Sequence, residues 1–457
     1  MTDTVLTYLQ DHHDRFVQEL TSWLRIPSVS TFAEQAQEVR RAAAWAQEKL
    51  VAIGFPTVET IATAGHPLVY AEWLSHPDQP TLLVYGHYDV QPAEPLDEWL
   101  SPPFEPAIRD DNLYARGAVD DKGQVMLVLA ALEAWSRTLG GLPINVKVLL
   151  EGEEETGGEA IEAYVRANPV RLEADAALIC DTHMLSERQP LLITGLRGVL
   201  YTEIAMHGAQ RDLHSGSFGG VAPNPVHALC VLIDRLKGAD GVIHIPELLA
   251  ALAPPPEAEK RFWEEDPLHL EELLRREMGV DELVGDAAYP PLERIWARPT
   301  LEVHGIRGGF TGQGAKTVIP AEALAKVSLR LPAGLQPDEV FAWFETAVRR
   351  HTPAGHRVEV TRLNAGEGLL VSPDNPFIRA AASALEATYG VEPAFMREGG
   401  SIPVAALFDQ VLQLPVVLMG FGLPDDGPHA PNEKFSLAQF ARGMATVADF
   451  LGRLQRG

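Results

Sequence analysis

Five short stretches of the chain carry side chains able to bind a metal ion or move a proton. They are TLLVYGHYDVQP around His87 and Asp89, LYARGAVDDKGQ around Asp120 and Asp121, EGEEETGG at 151–158, AALICD ending at Asp181, and PDDGPHAPNEKF around His429. Read singly, each has an ordinary explanation. HxD is a common loop triplet, Asp120 can cap a helix, and a run of glutamates is usually a solvated face. Together they offer two imidazoles, several carboxylates and no thiolate, a donor set that suits borderline divalent ions such as Zn²⁺, Mn²⁺ or Co²⁺. Two such ions about 3.5–4 Å apart need a bridging carboxylate plus terminal ligands, and they activate water and polarise a carbonyl. A general base that is not itself a ligand must stand beside them. Hydrolysis of an amide is the reaction class such a set serves.

The elements that must position these residues follow from the apolar pattern. TLLVY (81–85), INVKVLL (144–150), AALIC (176–180) and the run QLPVVLMGFG each read as a buried strand that runs directly into one of the chemical stretches. In open α/β sheets ligands gather at the carboxyl ends of strands. Helices are expected at 4–25, 33–52, 121–138, 158–167, 378–388 and from 437, with a further strand at LVYAEW (68–73). This alternation predicts an α/β layered sheet. The texture changes near LLITGLRGVLYTEIAMHG (191–208), a glycine-marked joint followed by alternating apolar and polar residues. The stretch 238–300 is helical, acidic and punctuated by proline, and strands return at 317–331 and 357–363. The expected layout is a discontinuous α/β domain, residues 1–192 and 370–457, interrupted by an α+β domain at 193–369.

Composition narrows the partners. The 457 residues are 46% hydrophobic and 22% charged, an ordinary globular balance. A formal charge of −26 argues against nucleic acid and against an anionic membrane surface. No stretch approaches the roughly 18 apolar residues that a membrane span requires. The start, MTDTVLTYLQDHHDRF, lacks the basic region and apolar core of a signal peptide. Cys180 and Cys230 are too few for a disulfide framework. The expectation is a soluble cytoplasmic protein.

GHYDVQP, ARGAVDDKGQ, EGEEETGG, DLHSGSFGG, GAKTVIP, REGGSIPV and DDGPHAPNEKF resemble, in order, the motifs of the two-metal aminoacylase/carboxypeptidase metallopeptidases, and within them the cytosolic non-specific dipeptidase and carnosinase branch. The resemblance runs from about residue 15 to the C-terminus and is least diagnostic at 238–300. It implies a zinc-peptidase-like mixed sheet flanked by helices, with the inserted domain serving as lid and dimerisation surface of a homodimer. It also implies two divalent ions, Zn²⁺ first and Mn²⁺ or Co²⁺ as alternatives. His87 and Asp181 would complete one metal site, Glu155 and His429 the other, with Asp120 bridging. Glu154 would be the general base, taking a proton from the bridging water and passing it to the leaving amine, and Asp89 would orient His87. His214 would enter the partner subunit's active site and stabilise the oxyanion. Thr317, Arg330 and Ser401 would hold the carboxylate and backbone of a small peptide substrate. The implied activity is cleavage of dipeptides or short peptides with a free C-terminal carboxylate. An N-acyl amino acid deacylase or desuccinylase is the alternative on the same site. A non-catalytic metal-binding protein is a third, disfavoured by the complete ligand set with Glu154.

Overall fold

The computed structural model describes residues 2–400 and 402–455. The chain divides into two compact units, Met1–Thr194 with Val371–Met396 and Pro403–Gly457, and Gly195–Leu370 with Arg397–Ile402. The first is built on one sheet whose strands lie in the order Thr57–Ile61, Leu68–Trp73, Asn145–Glu151, Thr81–His87, Ala176–Ile179, Val416–Met419 and Leu191–Leu196. The four central strands, 145–151, 81–87, 176–179 and 416–419, pair in parallel, and antiparallel strands flank them. Parallel strands are covered on both faces, which is why these runs are continuously apolar rather than alternating. Their carboxyl ends therefore share one edge, and each chemical stretch but the Asp120 loop leaves from it. The Thr81–His87 strand extends two residues beyond its expected end at Tyr85, pairing Gly86 with Leu150 and His87 with Glu151. Gly86 lets the helix behind it approach: a Cβ there would lie 2.4 Å from Val125 Cγ2 and 2.9 Å from Asp121 Oδ2.

The second unit carries a four-stranded antiparallel sheet in the order Thr300–Gly308, Glu322–Leu331, Gly198–His207, Arg357–Gly366. Strict alternation of buried and half-buried residues along Gly198–His207 marks a sheet with one covered face. Leu200, Ile204 and Met206 from that strand and Ala325, Val327 and Leu329 from its neighbour form the core with helices Pro225–Leu236 and Pro337–His351. Within 370–457, Arg397–Ile402 clusters with the second unit.

Helix Lys122–Leu139 is the central support of the first unit. Its residues from Lys122 to Trp135 are all buried, as expected of a helix that is apolar nearly all round. The first helix of the chain, expected over 4–25, is instead two, Thr2–Asp11 and His13–Leu24. His12, non-helical at φ −111°, breaks it, and its ring nitrogen Nδ1 lies 2.9 Å from the Tyr8 carbonyl. Glu133, on the 122–139 helix, ties helix His13–Leu24 through Arg15 at 2.6 Å to helix Ala36–Ile53 through Lys49 at 2.5 Å, and Lys49 also meets Glu19. Burial alone would raise the Glu133 carboxyl, but the bonds from Arg15 and Lys49 hold it below its ordinary value. Glu133→Ala leaves the buried Lys49 ammonium short of a partner, which should destabilise the fold by about 3–5 kcal/mol at pH 7 in urea unfolding. Because the folded pKa is depressed, that difference is full above about pH 4.3 and should fade as the pH falls below it.

Candidate metal centre

His87, Asp120 and Asp181 converge at the carboxyl edge of the central strands, and Asp120, Glu155 and His429 form a second group beside them. In each group the candidate ligand atoms all lie within 4.8 Å of one another. His87 is fully buried. Its Nε2 lies 3.1 Å from Asp120 Oδ1 and 3.7 Å from Asp181 Oδ2, while its Nδ1 lies 3.3 Å from Asp89 Oδ1 and 3.2 Å from the Asp89 carbonyl. The ring is thus held on one side and presented on the other, the arrangement of an oriented imidazole ligand. Asp89 is itself fixed: Oδ2 accepts from Ser30 Oγ at 2.7 Å and from the Glu155 amide at 3.2 Å.

The second group is reached from the other oxygen of the same aspartate. His429 Nε2 lies 2.9 Å from Asp120 Oδ2 and 3.3 Å from Glu155 Oε2. Asp120 therefore offers one oxygen to each histidine. His429 sits at φ +61°, in the left-handed region that a non-glycine residue adopts at a cost of about 1–2 kcal/mol. Gln91 donates to Glu155 Oε2 at 2.8 Å, while Glu155 Oε1 is buried without a hydrogen-bond partner. A two-oxygen bridge, an orphaned carboxylate oxygen and an oxygen–nitrogen donor set fit a pair of divalent ions. His87, Asp120 and Asp181 could hold one, and Asp120, Glu155 and His429 the other.

The electrostatics state the same demand. Burial and the neighbouring Asp120 raise Asp181 well above the usual carboxylate range. Burial, opposed by His87 and reinforced by Glu155 and Asp120, pushes Glu154 up to about 7. Burial works against a charged His87, yet hydrogen bonds from its ring to Asp120 and Asp89 raise its pKa well above normal. Hydrogen bonds to Asp120 and Glu155 bring His429 up to about 10. Asp120, which burial would raise, is held low by those same two rings. Divalent cations bound here would neutralise the carboxylates and leave the rings as neutral ligands.

Several supporting residues carry no signal in the spacing of the motifs. Neither Asp120 nor Asp121 caps the helix with its side chain; Asp121 Oδ2 instead accepts the His87 amide at 3.1 Å. Lys122 Nζ donates to the carbonyls of Ile26 at 2.8 Å and Trp23 at 3.3 Å, at the end of helix His13–Leu24, where a cation meets the negative pole of the helix. Ser28 Oγ donates to the Tyr88 carbonyl at 2.6 Å. Glu433 has no exposed surface. Its Oε2 accepts from Arg116 at 2.7 Å and the Gly117 amide at 2.9 Å, and its Oε1 from the amides of Val119 at 2.9 Å and Asp120 at 3.2 Å. Glu433 is only four residues from His429, so one loop supplies a candidate ligand and also moulds the loop of another. A glutamate inside PHAPNEKF was the available clue.

Among the expected substrate residues, His214 ends one strand of a two-stranded ribbon in the second unit and Thr317 immediately precedes the other, Val318–Ile319, with the Ser215 amide donating to the Thr317 carbonyl at 3.0 Å. Both are exposed. His214 Nδ1 accepts the Gly216 amide at 3.0 Å, so the neutral ring carries its proton on Nε2, available for donation. Arg330 is half-buried on the Glu322–Leu331 strand. Ser401 lies outside the described residues.

Residues 83–453 match the profile of the peptidase family M20/M25/M40. The chain is 33% identical to a Beta-Ala-His dipeptidase of Rattus norvegicus over 99% of this chain and 96% of that protein. It is 32% identical to a Cys-Gly metallodipeptidase of Schizosaccharomyces pombe, covering 99% and 98% of the two. Among solved structures, an M20 family metallo-carboxypeptidase from Sulfolobus solfataricus superposes with a TM-score of 0.85 at 30% identity, over 96% of this chain and 99% of that one. The mixed sheet with candidate acidic and imidazole ligands at its carboxyl edge, together with these relatives, marks a metallopeptidase. The chain belongs to peptidase family M20/M25/M40.

Glu433→Gln keeps the size of the side chain but turns an NH₂ toward donors that need an acceptor. It should weaken divalent-ion binding about 10–100-fold. Because Asp120 belongs to both groups, ion titration should show both sites weakened together rather than one alone.

Proposed function

We propose that this enzyme hydrolyses the amide bond of dipeptides and other short peptides with a free C-terminal carboxylate, using two divalent ions. The observation that carries the reading is Asp120, with Oδ1 toward His87 and Oδ2 toward His429. Its relatives named as dipeptidases, aligned over nearly their whole length, support the substrate class. Zn²⁺ is the proposed occupant, with Mn²⁺ and Co²⁺ the alternatives that the same donors accept. The bound ions would supply Lewis acidity, lowering the pKa of water and polarising the scissile carbonyl.

The chain's own groups do the rest. Glu154 lies on the turn Glu154–Thr156, immediately before the candidate ligand Glu155. Its carboxylate takes the proton released as water attacks and delivers it to the leaving nitrogen. Asp89 keeps His87 in register. Arg330 pairs with the substrate carboxylate through its planar fork, with Thr317 and Ser401 fixing the peptide backbone. His214, its proton on Nε2, donates to the developing oxyanion in the active site of a second copy, so the working species is a homodimer joined through the inserted unit, which also closes as a lid. No helix among the described residues is long and apolar enough to cross a membrane. Two unpaired cysteines suit a reducing, cytoplasmic setting.

The test is hydrolysis of parallel panels of dipeptides and N-acyl amino acids by metal-loaded protein. Dipeptides should be turned over and chelation should abolish the activity; preference for N-acyl amino acids would replace the peptide reading. Glu154→Gln should bind metal normally but lose about 10²–10⁴ in kcat. A mixture of His214→Ala and Glu154→Gln subunits should regain activity as heterodimers form, since one of the two active sites then has both groups intact. Verified heterodimers without recovery would put His214 in its own subunit's site.

A further inference from the structure

The acidic segment at 238–300 is the part of the sequence with the least evident purpose. It folds into helices Pro246–Ala250, Glu257–Glu265, Leu270–Met278 and Pro291–Trp296. A solvated, solubilising surface would explain its charge. It does not explain Glu259. That carboxylate faces the Arg397 guanidinium in a two-pronged pair, Nε to Oε1 at 3.3 Å and Nη2 to Oε2. Arg397 is 9% exposed at the side chain, and its guanidinium lies 5.5 Å from the centroid of the Trp263 ring, one helical turn beyond Glu259. Trp263 is itself buried, beside Trp296.

A second attachment lies two residues further on. Arg197 Nε donates to the Gly399 carbonyl at 3.2 Å. A Cβ on Gly399 would stand 2.9 Å from Arg197 Nη2 and 3.3 Å from the carbonyl of Ile295, in the last helix of the acidic segment. Gly195 plays the matching part at the glycine-marked joint, since a Cβ there would meet Arg397 Cγ at 3.0 Å. Arg397–Ile402 consequently packs as part of the second unit, although the residues before and after it belong to the first.

We propose that the acidic segment is a clamp for the substrate loop: Glu259 and Trp263 grip Arg397, and Ile295 and Arg197 confine Gly399, so that the loop is held ready for substrate. The inference rests on the peptidase reading, in which Ser401 touches the peptide backbone. Glu259 and Arg397 are positioning residues, acting through the loop. Without the clamp only a fraction of molecules holds the loop ready, and apparent substrate affinity falls by that fraction. Turnover, set by Glu154 and the metal ligands, changes little.

Two measurements test this. Hydrogen exchange over residues 395–405 should accelerate in Glu259→Gln and Glu259→Ala, independently of any substrate. Steady-state kinetics on a dipeptide should show KM raised about 10-fold, with kcat within about twofold and metal content unchanged. The exchanged pair, Glu259→Arg with Arg397→Glu, should recover part of the loss in KM that either single change causes. Unchanged exchange and unchanged KM would overturn the clamp. So would equal losses in kcat and metal content, which would mean a general structural role. A wild-type protein that cleaves no dipeptide would instead sink the peptidase reading, while the exchange result would still judge the clamp.

Discussion

Burying like charge is the constraint around which the first unit is organised. Asp89, Asp120, Asp121, Glu151, Glu154, Glu155 and Asp181 gather about two histidines at one sheet edge, and in a poorly solvated site they cannot all ionise without cations. The protein disposes of them individually. Glu151, pushed up to about 8 by burial, accepts from Tyr85 at 2.5 Å. Asp89 is occupied by Ser30 and a backbone amide, and Asp121 by the His87 amide. Four are left, Asp120, Glu154, Glu155 and Asp181, and of these Asp120, Asp181 and Glu155 stand with the two imidazoles in the groups that could hold metal ions.

Holding that set is shared between rigid strands and straps that tie them. The parallel strands bring His87, Glu155, Asp181 and the His429 loop to one edge. The Asp120 loop comes from elsewhere and needs its own fastening. Glu433 supplies it, and the small sheet formed by Lys434–Ser436 with Asn112–Tyr114 fixes the segments on either side. Helix His13–Leu24 contributes through its exit, where Trp23, Ile26 and Ser28 take up Lys122 and the Tyr88 carbonyl. The second unit fastens a loop in a similar way, with the Arg397 segment drawn into its own packing.

The strands and ligand stretches were legible because buried parallel strands are written as unbroken apolar runs, and the polar residues just beyond them stand out. The four glutamates of EGEEETGG could not be sorted by spacing. Glu153 accepts the His66 amide at 3.0 Å, and Glu151 faces Tyr85. Both partners come from distant parts of the chain, as do those of Glu433 and Glu259. The break at His12 was also hidden, since it depends on a local side-chain bond inside a stretch of good helix period.

The sequence alone determined the alternating α/β architecture, the sheet edge that carries the chemistry and the residue types available there. Periodicity and strand ends are local properties, and local properties survive in one dimension. Only the tertiary structure decided that Asp120 turns one oxygen to each histidine, that Glu433 serves the loop rather than a metal, and that an acidic surface segment grips a distant arginine. Each of these depends on which atoms are left to pair once the chain has closed, and that assignment is made in three dimensions.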